Sequence, residues 1–238
     1  MMQEHPVIRC FNISKWYDNI CALNNINLDI NAGEFIFFTG PSGAGKSTLL
    51  KLLYLDERAS QGEIVMNGMN IARIPRDRMP YVRRTLGVVF QDFKLIPTRT
   101  VYDNVALVLE AAGVKKNIIR QRVLKVLRIT GIVRKINAFP PSLSGGEQQR
   151  VAFARAVVGE PSIIIADEPT GSLDYDSARV IFNLLLDYNR KGVTILVASH
   201  NLHLINETCK AVNGKNPTDG IIRERHLRIV NGVVTESG

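Results

Sequence analysis

Two clusters of residues in this sequence could act on a phosphate. The first, Gly40-Pro41-Ser42-Gly43-Ala44-Gly45-Lys46-Ser47, is a complete G-x-x-x-x-G-K-S pattern directly after the apolar run Phe35 to Phe38. Its glycines let the backbone curl with the N–H groups pointing inward, and a helix starting at the lysine adds the positive end of its dipole. Gly40, Ser42, Gly43, Ala44 and Gly45 thus read as an anion cradle. Lys46 would reach the β- and γ-phosphates of a nucleotide, Ser47 would offer its hydroxyl to Mg2+, and Thr48 could donate on the α-phosphate side. The second cluster is Asp167-Glu168, at the end of the apolar stretch Ile163 to Ala166. A buried strand would carry Asp167 to the ligand-binding edge of an α/β sheet as a partner for Mg2+. Glu168, one residue beyond, is placed to take a proton from an attacking water.

A third constellation has a logic of its own. Ser144, Gly145, Gly146 and Glu147 have the S-x-x-E spacing of a capping box, so Ser144 is expected to cap a helix whose first turn exposes free N–H groups. A cap by itself does not call for two consecutive glycines, each of which costs a helix about 1 kcal/mol, so a second anion site is the alternative to a plain cap.

Positioning these groups requires strands and helices in alternation. Phe35 to Phe38, Leu86 to Phe90, Ile163 to Ala166 and Thr194 to Ala198 read as strands buried on both faces of a parallel sheet. Near the N-terminus, Cys21 to Phe38 and Gly62 to Ile71 alternate, and Asn67-Gly68 is a hairpin dipeptide, which predicts an antiparallel edge. Between Asp92 and Glu160 the spacing turns helical, over Val101 to Ala112, Asn117 to Thr130 and Glu147 to Val158. The expected fold class is therefore α/β. Ala211 to Gly220 reads as an exposed loop, and Leu227 to Val234 as a last hairpin.

At this point the motifs become family-specific. Leu143 to Arg150, LSGGEQQR, resembles the signature of the ATP-binding-cassette (ABC) ATPases, and the other marks of that family stand in the expected order over about residues 7 to 206. The resemblance implies a P-loop ABC ATPase fold: a mostly parallel, RecA-like sheet core with an antiparallel β edge and an inserted helical subdomain. It implies one domain over 1–238, with 1–91 and 161–238 as the nucleotide-binding lobe and 92–160 as the helical signature lobe. Tyr17 is similar to the aromatic that stacks on adenine, although Trp16 is adjacent and either ring could do so. Gln91 is similar to the glutamine that senses metal and water, and Gly171 to Asp174 to the loop after the acidic strand. His200 is similar to the switch histidine at the γ-phosphate. On their own, His200 and Gln91 could equally be a strand-end histidine and a surface glutamine.

The implied cofactors are ATP and Mg2+. The implied assembly is a head-to-tail homodimer formed on ATP, in which Ser144, Gly145, Gly146 and Glu147 of one copy close over the γ-phosphate held by the other. The stretch Asp92 to Val105 is similar to the cell-division branch of the family, which implies an integral membrane partner docking between the lobes near Gln91 and across Asp92 to Asn104. Transport ATPases for lipoproteins, lipids or small molecules share most of these motifs, and no nucleic acid is expected because a single cassette leaves room for neither a second cassette nor a long coiled coil.

Composition bounds the rest. No stretch approaches the roughly 18 apolar residues of a membrane span, and the N-terminus lacks the apolar core of a secretory signal. A cytoplasmic protein, peripheral to the inner face of the membrane through its partner, is expected. Cys10, Cys21 and Cys209 lack metal or disulfide spacing and read as packing residues. The net charge of +8 could serve nucleic acid, an anionic membrane surface, or solubility alone, and the densest basic segment, Arg73 to Arg84, with one aromatic and two prolines, reads as a solvated face.

Overall fold

The structure, a computed structural model, describes residues 6–200 and 223–236. The expected loop between Lys210 and Ile222, and Cys209, lie outside the described residues. In chain order the elements are β1 (Pro6–Tyr17), β2 (Ile20–Asn31), β3 (Glu34–Thr39), α1 (Lys46–Leu53), β4 (Gln61–Met66), β5 (Met69–Asn70), α2 (Met79–Arg83) and β6 (Leu86–Val89). They continue with α3 (Val101–Ala111), α4 (Lys116–Ile129), α5 (Gly145–Val157), β7 (Ile163–Asp167), α6 (Tyr175–Asn189), β8 (Thr194–Ala198), β9 (Arg223–Val230) and β10 (Val233–Glu236).

The strands form two sheets, one of order β2-β1-β4-β5 and one of order β10-β9-β3-β8-β7-β6. In the second, β9, β3, β8, β7 and β6 are mutually parallel and only β10 runs antiparallel, folded back on β9 at Asn231-Gly232. All residues of β3 and β8 are buried, which is why these segments are continuous apolar runs rather than alternating ones. Phe35, Phe37, Ile164, Ala166, Ile195 and Val197 pack against the α3, α5 and α6 side. Their neighbours Ile36, Phe38, Ile163, Ile165, Leu196 and Ala198 face α1 and the antiparallel sheet. The period-two side-chain geometry of a strand thus divides one sheet between two cores.

Two differences from the sequence reading are instructive. The antiparallel strands make a separate four-stranded sheet rather than only an edge of the parallel one, because the turn at Ala32-Gly33 sends β2 into one sheet and β3 into the other. The long strand β1 carries no clean alternation: its pairing with β2 shifts register between Cys10 and Ile13, and Asn12 adopts a φ of 47° there. A bulge of this kind erases the two-residue period that marks a strand in sequence. Cys10 is a buried packing residue as expected, whereas Cys21 is exposed, its thiol donating to the Leu23 carbonyl.

Helices α3, α4 and α5 share their core with the parallel sheet, and α5 approaches β6 closely. A Cβ on Gly87 would lie 2.5 Å from the Ala156 carbonyl oxygen. Gly87→Ala is therefore expected to force β6 and α5 apart and destabilise the fold by about 1–3 kcal/mol, read as a lower urea midpoint at unchanged slope.

Candidate functional site

Loop ends of four parallel strands converge at one edge of the sheet. Gly40 to Gly45 follow β3, Gln91 follows β6, Glu168 follows β7 and His200 follows β8. Apart from Ala44, they line a cleft of about 540 Å³ together with Lys46, Ser47 and Thr48. The glycines are used where only glycine fits. Gly40 has a φ of 134° and a Cβ there would strike the Ile229 carbonyl at 2.1 Å; Gly45, at 108°, would strike that of Ala22 at 2.5 Å. Gly45 is also the N-cap of α1 and brings no side-chain cap, so the first N–H groups of the helix stay open towards the cleft.

Lys46 is buried, and its ammonium donates to the carbonyls of Gly40 (2.8 Å) and Pro41 (3.0 Å). A cation in a cradle of N–H donors is the charge arrangement that suits a phosphate chain. The Ser47 hydroxyl donates to Asp167 Oδ1 at 2.9 Å and so ties the glycine loop to the end of β7. Burial pushes the Asp167 carboxyl above its ordinary value; the Ser47 hydrogen bond works against that shift, and neighbouring Glu168 adds to it. Ser47, Asp167 and the side-chain oxygen of Gln91 are hard oxygen donors, a set that fits Mg2+ sharing its shell with water and phosphate oxygens. Asp167 is half-buried and lies in the field of Lys46 and Lys51, so its carboxylate is held at the cleft edge as an oxygen donor.

Glu168 adopts a left-handed φ of 45°, with its N–H donating to the Ala198 carbonyl of β8. Its Oε1 lies 2.9 Å from His200 Nδ1, and its Oε2 accepts from the His200 N–H at 3.4 Å. The carboxylate is mostly buried while the imidazole is 66% exposed, so the histidine sits at the mouth and the glutamate inside. Gln91 lies against Gly171, where a Cβ would come within 3.2 Å of the amide nitrogen.

Other sequence-predicted residues do not line this cleft. Tyr17 is 37% exposed under the Lys15 ammonium, and Ala44 is buried. Ser144 caps α5 with both halves of the capping box formed: its hydroxyl accepts from the Glu147 N–H and the Glu147 carboxylate accepts from the Ser144 N–H. Ser144 and Gly145 are exposed, so α5 opens to the surface at its positive end. Gly146 has a packing reason of its own, since a Cβ would meet the Ser177 hydroxyl at 2.4 Å. Asp174 caps α6, and the N–H of Ser177 holds its carboxyl below the ordinary value.

A second groove, of about 350 Å³, lies beside β6 and is lined by Arg83, Leu86, Val88, Phe90, Lys94, Val108, Arg155 and Ala156. Of the stretch expected to line a docking groove, only Lys94 does; Asn104 is instead fully buried, its amide donating to the carbonyls of Ile96, Arg99 and Thr100.

Two residues of α5 have positioning roles that the sequence did not assign. Arg155 of α5 donates to the carbonyls of Phe93 (2.7 Å) and Lys94 (2.5 Å), which stand in left-handed φ of 58° and 48° just after Gln91. Gln149, fully buried on α5, donates to the Pro169 carbonyl at 2.6 Å. One helix therefore holds both the glutamine loop and the loop after the acidic strand. Helical spacing puts Gln149 on the buried face with Phe153 and Val157, and a polar residue there is the signal that would have found it.

A family model described as ABC transporter matches residues 23–171. The cell division ATP-binding protein FtsE of Bacillus subtilis (strain 168) is 45% identical over 217 residues, covering 91% of this chain and 94% of its own. FtsE of Escherichia coli (strain K12) is 47% identical over 200 residues, 84% of this chain and 90% of its own. Among solved structures, the ATP-binding cassette MJ0796, a dimer in a post-hydrolysis state bound to ADP and Pi, superposes with a TM-score of 0.83 at 34% identity over 97% of both chains.

Because burial disfavours the ionised Asp167, Asp167→Asn is expected to raise the melting temperature of the nucleotide-free protein at neutral pH. A carboxyl whose pKa is raised on folding weakens the folded state as pH rises through its unfolded value, so this advantage should shrink as pH falls into the acid range and the wild-type carboxyl protonates. Melting scans across that range check it.

Proposed function

We propose, from the premise that this chain belongs to the ABC transporter family of ATPases, that it is the ATP-hydrolysing subunit of an FtsE-type membrane complex acting in cell division. The observation that carries this reading is the single cleft in which the glycine loop, Lys46, Gln91, Glu168 and His200 meet. Likeness to the FtsE proteins over most of both chains supports the cell-division assignment within the family.

In this reading ATP lies along the glycine loop, with Gly40, Ser42, Gly43, Ala44 and Gly45 around its phosphates. Lys46 leaves the Gly40 and Pro41 carbonyls for the β- and γ-phosphate oxygens, and Thr48 donates on the α-phosphate side. Ser47, Asp167 and Gln91 would hold Mg2+, which would offset charge on the phosphate oxygens. Glu168 accepts the proton of the attacking water, and His200, paired with it, orients that carboxylate and meets the γ-phosphate edge. Tyr17 stacks on the adenine.

The chain works as a head-to-tail homodimer, an assembly supported by the dimeric cassette that it resembles. Exposure of Ser144 and Gly145 at the start of α5 supports a role for that helix end, with Gly146, Glu147 and Asp174, in closing over the partner copy's nucleotide. An integral membrane partner of the FtsX type would receive the motion, and the groove beside β6 supports a docking site for it. No helix among the described residues is long and apolar enough to cross a membrane, which suits a peripheral subunit held at the inner face by that partner.

Glu168→Gln is expected to retain ATP-dependent dimerisation while steady-state phosphate release falls by at least about 100-fold, within the range of general-base contributions. Undiminished turnover in that variant would remove Glu168 from the mechanism. Lys46→Ala should lose ATP binding by equilibrium titration, and tight binding by that variant would overturn the cradle assignment.

A further inference from the structure

One long stretch of this protein carries positive charge with no acidic residue to offset it. Between Ala111 and Gly146 the sequence contains eight Lys and Arg and no Asp or Glu, which equals the whole net charge of +8; the remainder is balanced, with 22 basic against 22 acidic residues. The segment is α4 and its flanks. Helix α4 buries Ile119, Val123, Val126 and Leu127 against the core, while Lys116, Arg120, Lys125 and Arg128 are exposed. Lys115 precedes the helix, and the exposed Arg134 and Lys135 follow it.

Within this segment the ion pairs are Arg122 with Glu160, at 3.5 Å, and Lys135 with Glu147, at 4.0 Å. Lys116, Arg120, Lys125 and Arg128 have no ion-pair partner among the described residues. The placement also runs against helix electrostatics. Lys115 is the N-cap and Lys116 the first residue of α4, with neither a capping side chain nor an acidic residue in the first turn, where a helix favours negative charge. A local choice that opposes the fold it sits in marks a surface kept for something outside the chain.

Ile118 and Ile129 lie on the same outward face, 36% and 40% exposed, and Arg122 and Lys125 complete their helical stripe at intervals of four, three and four residues. Cations interleaved with exposed aliphatic side chains suit a surface that is anionic outside and apolar just beneath, which is the chemistry of phospholipid headgroups over acyl chains. The face offers no aromatic ring from α4 on which a base could stack, so it fits a polynucleotide less well.

We propose that the exposed stripe of α4 is a docking surface for an anionic phospholipid bilayer, through Lys125 with Arg122 and Arg128 on either side of it, and with Ile118 and Ile129 entering the headgroup layer, while Lys116 and Arg120, farther round the helix, add to the local positive field. This is separate from the ATP cleft and from the groove beside β6, so it stands whether or not the partner assignment is right.

The test is co-sedimentation of the full chain with vesicles of phosphatidylcholine, with and without about one-third phosphatidylglycerol. Binding is expected only to the anionic vesicles and should weaken with salt. The variant K125Q/R128Q should bind about 30-fold more weakly, the loss of two surface cations, with an unchanged circular dichroism spectrum and ATPase rate. As a control, R76Q/R78Q, which removes two exposed cations elsewhere, should bind like the wild type. I118S/I129S should lose the binding that survives high salt. Equal binding by K125Q/R128Q and wild type overturns the proposal, as does an equal loss in R76Q/R78Q, which would make the attraction a matter of net charge alone. Tighter binding to single-stranded RNA than to the anionic vesicles would overturn it in favour of a nucleic-acid surface.

Discussion

Parallel pairing of β3 with β8, of β8 with β7 and of β7 with β6 is the constraint on which the candidate site rests, because it brings the C-terminal ends of four strands to one edge of one sheet. A glycine loop alone is a strained turn; an Asp-Glu pair alone is the acidic start of a loop. Joined through the Ser47 to Asp167 hydrogen bond, they become the two walls of one cleft. Residues 47 and 167 are far apart in sequence, so this juxtaposition is a property of the sheet, held by two cores that both depend on the alternating side chains of β3, β7 and β8.

Helix α5 is the second organising element. At one end Ser144 and Glu147 close a capping box and leave the start of the helix open to the surface. Further along, Gln149 and Arg155 hold the Pro169, Phe93 and Lys94 carbonyls, and the helix passes Gly87 at near-contact distance. A rigid rod that touches the glutamine loop, the loop after β7 and the exposed signature is the physical means by which a change at one could be felt at another.

The site also carries signs of tension typical of a binding centre. Asp167 is held in an environment that disfavours its charge, Glu168 sits at a left-handed φ, and the Lys46 ammonium rests on two carbonyls in a cradle built of donors. An anionic ligand carrying a cation would meet the charges of Lys46 and Asp167, whereas the Glu168 backbone is set by its N–H bond to the Ala198 carbonyl.

The chemistry was legible in the sequence because it depends on local patterns. A glycine loop, an apolar strand ending in Asp-Glu and a capping box are each contained in a few consecutive residues, and the fully buried strands β3, β7 and β8 announce themselves as unbroken apolar runs. The tertiary structure decided what depends on distant neighbours. It separated the antiparallel strands into their own sheet, revealed β1 behind a bulge that erases its period, and found in Arg155 and Gln149 the donors that hold loops whose carbonyls no sequence pattern advertises. It also showed that Gly146 is needed where α5 meets Ser177, a contact between two helices that spacing along either one cannot express. Charge followed the same division: its sum is a property of the sequence, but that Lys125 stands outward on α4 between the exposed Ile118 and Ile129 follows only from which side of that helix the core had already taken.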